Sequence, residues 1–112
     1  MKFIKKPWGR EVIIENNEKY CGKILEIKKG ERLSKQYHKK KDETLFVYSG
    51  EVKVYLDHEE YLLKEGQSIR LRPGDMHRVE AFVDSKIIEI STHHDDADTV
   101  RLEDDYNRIK KK

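Results

Sequence analysis

The chain has 112 residues, of which 36% are hydrophobic and 41% charged, with a formal net charge of +2. This length suits a single domain, residues 1–112, with one modest core under a densely charged surface. Charges of both signs are spread along the chain, which argues against a nucleic-acid partner, because phosphate binding calls for a basic excess on one face.

Residues 1–9 read as an N-terminal arm ending in Lys6-Pro7-Trp8-Gly9. They lack the apolar run of a signal peptide, and no later stretch approaches the roughly 18 apolar residues of a membrane helix. A soluble, cytoplasmic protein is therefore expected. Pro7 keeps its predecessor extended, and Trp8 needs a cover, from the barrel or from a second subunit. An apolar arm on so small a domain points to a homodimer.

Glu11–Glu15 is short and β-branched, hence a strand, and Asn16-Asn17-Glu18 is a turn. Tyr20–Lys28 is the next strand; Ile24 alternates with Lys23 and Ile27 with Glu26, while Leu25 breaks the pattern. It carries Cys21, the only cysteine, so no intrachain disulfide holds the fold. Lys29-Gly30 turns the chain into an extended run, Leu33–His38. Period two places Ser34, Gln36 and His38 on one face of that run. Lys39–Asp42 is a charged loop, read as solvated, with a phosphate-attracting rim as the alternative.

Glu43 opens the strand Thr44–Tyr48. Ser49-Gly50-Glu51 is a hairpin connection that leads into Val52–Leu56, where Val52, Val54 and Leu56 alternate with Lys53 and Tyr55. His58 lies on the next hairpin tip and reads as exposed. Tyr61–Leu63, Ser68–Arg72, His77–Ala81 and Lys86–Ser91 complete the series, with Pro73-Gly74-Asp75 as a strong turn. His93 and His94 read as a solvated pair. Residues 95–112 read as a cap segment over one barrel end, fraying at 109–112. Many short strands, regular turns and no helical period before residue 95 indicate an all-β barrel or sandwich.

Four residues then offer metal donors: Gln36 and His38 from one strand face, Glu43 from the next strand, and His77 after the Pro73-Gly74 turn. A closed barrel can aim them at one point. Two imidazoles, a carboxylate and an amide suit Zn, Fe, Mn, Co or Ni without selecting strongly among them, zinc being the first expectation, and the absence of thiolate argues against a closed structural zinc site. Four protein ligands leave open positions on an octahedral ion for a substrate oxygen.

These stretches resemble the paired motifs of the cupin superfamily. Gly30, Gln36, His38, Glu43 and Gly50 follow the spacing of the first motif, with Gln36 in place of its first His. Gly66, Gly74 and His77 follow the second, with Arg72 where Pro is usual. Lys6-Pro7-Trp8-Gly9, Gln36-Tyr37-His38 and the run from Asp98 to Arg108 are similar to the cupin domain of type II mannose-6-phosphate isomerases. Those domains are often joined to a nucleotidyltransferase, for which 112 residues leave no room. This chain departs from the family pattern at Lys41, where Arg is usual, and at Thr44-Leu45, where His-Trp is usual. The resemblance implies a double-stranded β-helix barrel and one divalent metal on Gln36, His38, Glu43 and His77. It also implies a small sugar-phosphate substrate undergoing aldose–ketose isomerisation. Lys41, Arg78 and Arg101 are the candidates for binding phosphate or transition-state charge. A non-catalytic, metal-dependent sugar-binding module and an Fe(II) oxygenase are the rival readings.

Overall fold

The computed structural model describes residues 1–108; the expected fray at 109–112 lies outside the described residues. The strands are β1 (Lys2–Lys6), β2 (Gly9–Asn16), β3 (Cys21–Ile27), β4 (Lys35–His38), β5 (Glu43–Ser49), β6 (Glu51–Leu56), β7 (Glu59–Lys64), β8 (Ser68–Leu71), β9 (His77–Ala81), β10 (Ser85–Ser91) and β11 (Thr99–Glu103). They form two antiparallel sheets, ordered β1-β2-β3-β10-β5-β8 and β11-β4-β9-β6-β7. The inner faces close on each other as the expected double-stranded β-helix.

Period-two alternation sends every second side chain inward, and the register stacks these into rungs. In the six-stranded sheet one rung runs Cys21–Ser91–Glu43–Leu71, the next Lys23–Glu89–Leu45–Ile69, and the next Glu11–Leu25–Ile87–Val47. The facing sheet runs in parallel steps: Gln36–His77–Leu56, then Val79–Val54, then Ala81–Val52–Leu63. One half of the interior is therefore apolar, built from Leu25, Ile27, Val47, Val52, Val54, Ala81 and Ile87. The other half is polar and carries the candidate ligands.

Residues 1–9 are pinned to the barrel, the first of the two covers expected for Trp8. Lys2–Lys6 pairs with β2 as an edge strand, and Trp8 joins the core at 3% exposure. The cap segment contributes a 3₁₀ turn at Asp96–Asp98 and strand β11 against β4. Of the two faces that Ile24 and Ile27 offer, the one shared by Leu25 and Ile27 is the inner face of β3. Cys21, Lys23, Leu25 and Ile27 point inward, and Lys23 is buried. An inward Lys is sustained because its Nζ lies 3.2 Å from Glu11 Oε1. Ile24 joins an outer cross-strand row, Phe3–Val12–Ile24–Ile88–Phe46.

Gly50, between β5 and β6, has φ +96°, and a Cβ there would stand 2.8 Å from Ser85 Cα. Only glycine meets both demands. Among the described residues, no helix is long and apolar enough to cross a membrane.

Candidate metal centre

His38 ends β4, Glu43 opens β5 and His77 opens β9, so three strand termini meet at the polar end of the interior. All three are buried, and each offers a ligand atom within 4.8 Å of the others. His77 Nε2 is 3.3 Å and His38 Nε2 is 3.7 Å from Glu43 Oε1. Donors about 2.1 Å from a common ion, subtending ordinary coordination angles, stand roughly 3.0–3.4 Å apart. The observed spacing is close to that.

The hydrogen bond at the far nitrogen of His77 fits a ligand role. His77 Nδ1 meets the carbonyl of Asp75 at 3.0 Å, which only a protonated Nδ1 can do, so Nε2 carries the lone pair in the neutral ring. His38 Nδ1 meets Thr99 Oγ1 at 3.1 Å. Burial, and then the positive charge of Lys41, pushes His38 down to about 3, so the ring is neutral at pH 7. Burial pushes Glu43 the other way, but the adjoining His77 and the Lys41 charge outweigh it, holding its carboxyl well below the usual range. Glu43 Oε2 lies 2.9 Å from Lys41 Nζ in a buried ion pair, while Oε1 faces both imidazoles. Two imidazoles and an ionised carboxylate that converge in this way fit a divalent cation.

Gln36 lies directly across from His77 in the β4–β9 ladder and lines the same cavity. Its Nε2 donates to Ser34 Oγ at 3.1 Å, which leaves the amide oxygen as its available donor atom.

The three candidate catalytic cations fare differently. Lys41 was expected in a solvated loop with Lys39 and Lys40; those two are exposed, but Lys41 is 3% exposed. Asp98 explains this, because its carboxylate accepts from the backbone N–H of Lys40 and of Lys41 at 2.9 and 3.0 Å and pulls the loop in. Lys41 Nζ then reaches Glu89 Oε2 and His94 Nδ1, each at 3.1 Å, besides Glu43. Burial alone would lower its pKa, but Glu89 and Glu43 raise it, so it stays charged.

Arg78 is not brought to the centre. His77 and Val79 point into the barrel, so Arg78 between them points out. There it donates from Nε to the Leu33 carbonyl at 2.8 Å and from Nη2 to Asp105 at 2.8 Å. It ties the C-terminal segment to the barrel wall. Arg101 does line the cavity, and its Nε is buried without a hydrogen-bond partner among the described residues.

Two further groups were not anticipated. His94, read as solvated beside an exposed His93, turns inward and is held between Lys41 and Asp96, the latter 2.8 Å from its Nε2. Burial, and then Lys41, pushes its pKa down. Glu89 lines the cavity from β10. Its trace in the sequence is a lone charge inside Ile87-Ile88-Glu89-Ile90, where solvent-facing parity would have put it among isoleucines.

Comparison with known proteins places these features. A family model described as "Mannose-6-phosphate isomerase C-terminal" matches residues 2–104. The mannose-1-phosphate guanylyltransferase ManC of Salmonella typhimurium is 33% identical over 110 residues, covering 95% of this chain and 23% of ManC. The alginate biosynthesis protein AlgA of Pseudomonas aeruginosa is 31% identical over 109 residues, covering 94% of this chain and 23% of AlgA. The chain thus spans about a quarter of the length of these relatives. Among solved structures, KdgF from Halomonas has a TM-score of 0.79 at 19% identity, covering 87% of this chain and 90% of KdgF. An RmlC-like cupin from Shewanella frigidimarina has a TM-score of 0.77 at 15% identity, covering 86% of each chain. At such identities these two structures show the cupin fold alone.

Proposed function

This chain belongs to the mannose-6-phosphate isomerase C-terminal family, and on that premise we propose that it is a metal-dependent isomerase of a phosphorylated aldose, mannose 6-phosphate being the first candidate. The observation that carries the reading is one cavity holding both the His38–Glu43–His77 cluster and Arg101, whose Nε is buried without a hydrogen-bond partner among the described residues. A neutral sugar would need no such cation, and leaving a guanidinium nitrogen unsatisfied is costly unless a ligand completes it.

In this reading His38, Glu43 and His77, with the Gln36 oxygen, hold one divalent ion, zinc first. Such an ion supplies positive charge for the oxygen that becomes anionic as a proton leaves the neighbouring carbon. The chain's own residues do the rest. Asp75 and Thr99 orient the two imidazoles. Lys41 neutralises the excess negative charge of the interior. Arg101, on the edge strand beside Gln36, offers a planar donor fork to phosphate. The free space among these groups is about 60 Å³. That is room for a few waters or the end of an open-chain sugar, not for a whole hexose phosphate. The reacting carbons would enter, with the phosphate at the mouth near Arg101.

The test is interconversion of mannose 6-phosphate and fructose 6-phosphate by protein loaded separately with Zn, Mn, Co or Fe. Turnover with at least one metal, and none with unphosphorylated mannose, is expected. Absence of turnover with all four ends the reading.

A further inference from the structure

Resting on that reading of the site, we infer that Glu89 is the group that carries the proton between the two reacting carbons. The inference comes from weighing Glu89 against the other acidic side chains of the cavity and against Lys41 and His94. Glu43 belongs to the ligand cluster. Lys41 is fully engaged, with Glu43, Glu89 and His94 around one nitrogen, and it is held charged, so it has no lone pair to offer. His94 has both ring nitrogens committed, Nδ1 to Lys41 and Nε2 to Asp96. Asp96 has a side chain 93% exposed and points to solvent. Glu11 is paired with Lys23 and stands level with Leu25 and Ile87, one rung further from Glu43 than Glu89.

Glu89 differs from all of these. It is 5% exposed, on the inner face of β10, one rung below the level of Glu43. Its Oε2 takes the Lys41 ammonium at 3.1 Å and the Ser91 hydroxyl at 3.4 Å. Its Oε1 accepts no hydrogen bond from the described residues. One oxygen is anchored and the other is free in the cavity. Glu89 and Glu43 share the Lys41 ammonium, so the Glu89 carboxylate is one ion-pair contact removed from the ligand cluster. A buried carboxylate that ligates nothing is expensive to keep, and a proton acceptor with one fixed and one free oxygen is what carbon deprotonation requires.

The steps balance without an added reagent. Glu89 Oε1 takes the proton from C2 of the open-chain aldose; the C2–H pair forms C1=C2, and the carbonyl π pair moves to O1. The C1=C2 pair then takes the proton back from Glu89 onto C1. Meanwhile O2 gives up its hydroxyl proton, which ends on O1, and C2=O2 forms. The ketose leaves, and Glu89 is ionised again.

The experiment compares wild type, Glu89→Gln and Glu89→Asp, each metal-loaded and assayed in D₂O with mannose 6-phosphate. Gln keeps the shape and an oxygen for Lys41, while Asp withdraws the carboxylate by one methylene and guards against a variant that fails to fold. For Glu89→Gln a fall in kcat of about 100-fold or more is expected, with metal content and KM unchanged and no solvent deuterium entering C1 or C2. Glu89→Asp is expected to keep deuterium incorporation at reduced kcat. Turnover of Glu89→Gln within about threefold of wild type would overturn the assignment and leave the isomerase reading standing. So would loss of its activity together with its metal, which would mark a structural role. A wild type that neither turns over nor incorporates deuterium would remove both.

Discussion

His77 Nε2 stands 3.3 Å from Glu43 Oε1, while the opposite nitrogen of the same ring is pinned at 3.0 Å by the carbonyl of Asp75. The backbone thus selects the tautomer that turns a lone pair toward the carboxylate. Replacing either residue removes a donor that nothing nearby can supply. His77→Ala and Glu43→Gln are each expected to lower affinity for Zn by more than the roughly 10–100-fold typical of outer-shell changes. Elemental analysis and calorimetric titration read this; full metal content in either variant would refute the site.

Lys41 is the hub of the buried charges, and its removal leaves Glu43 and Glu89 without a counter-ion. Lys41→Met is expected to cost about 3–5 kcal/mol in urea unfolding. Adding Glu89→Gln to Lys41→Met should recover part of that loss, since the two residues are in contact. A cost below about 1 kcal/mol would show that the cluster is not an energetic unit.

Arg101 should behave in the opposite sense. Its Nε has no partner among the described residues, so Arg101→Met removes an unsatisfied donor, and stability should stay level or rise by about 1 kcal/mol. Binding of sugar phosphate should weaken, with KM rising about tenfold or more and kcat changing less. Unaltered KM would exclude Arg101 from the phosphate contact.

For the metal-free protein the pH response follows from His38. Its unfolded value is near 6.5 and burial lowers the folded value to about 3. Between those limits the unfolded chain binds the extra proton, so stability rises with pH. The contribution is complete above 6.5 and is lost as pH falls toward 3, with a slope of at most about 1.4 kcal/mol per pH unit. The lowered value of His94 acts with the same sign. Urea midpoints measured from pH 7.5 to 4.5 should fall steadily, and less so in His38→Asn; a flat profile in the wild type would contradict this.

Gly50→Ala tests the barrel frame independently of the site. The added Cβ meets both a positive φ and the Ser85 backbone, and a loss above about 2 kcal/mol is expected. Ser85→Ala should not rescue it, because Ser85 Cα remains in the way. A neutral Gly50→Ala would mean that the β5–β6 turn relaxes freely.

The strand pattern was legible in the sequence because alternation and turn residues are local. Val52–Val54–Leu56, the Gly50 turn and the face shared by Gln36 and His38 all follow from period two and backbone sterics. The motif spacing also marked His38, Glu43 and His77, which the fold brings within 4.8 Å. What local rules could not supply was the polarity of the interior. Lys23, Lys41 and Glu89 carry charges that pattern reasoning sends to solvent. They turn inward because each meets an opposite charge from another strand, Glu11 from β2 for Lys23 and Glu89 from β10 for Lys41. Arg78 points out of the barrel instead, and is covered there by partners 45 and 27 positions away, the Leu33 carbonyl and Asp105. Local pattern was enough for the strands from Glu11 to Ser91, the turns between them and the residues offering metal donors, though not for the edge strands Lys2–Lys6 and Thr99–Glu103. Tertiary structure alone decided which charges are buried, since that depends on pairing energy between segments that only closure of the barrel brings together.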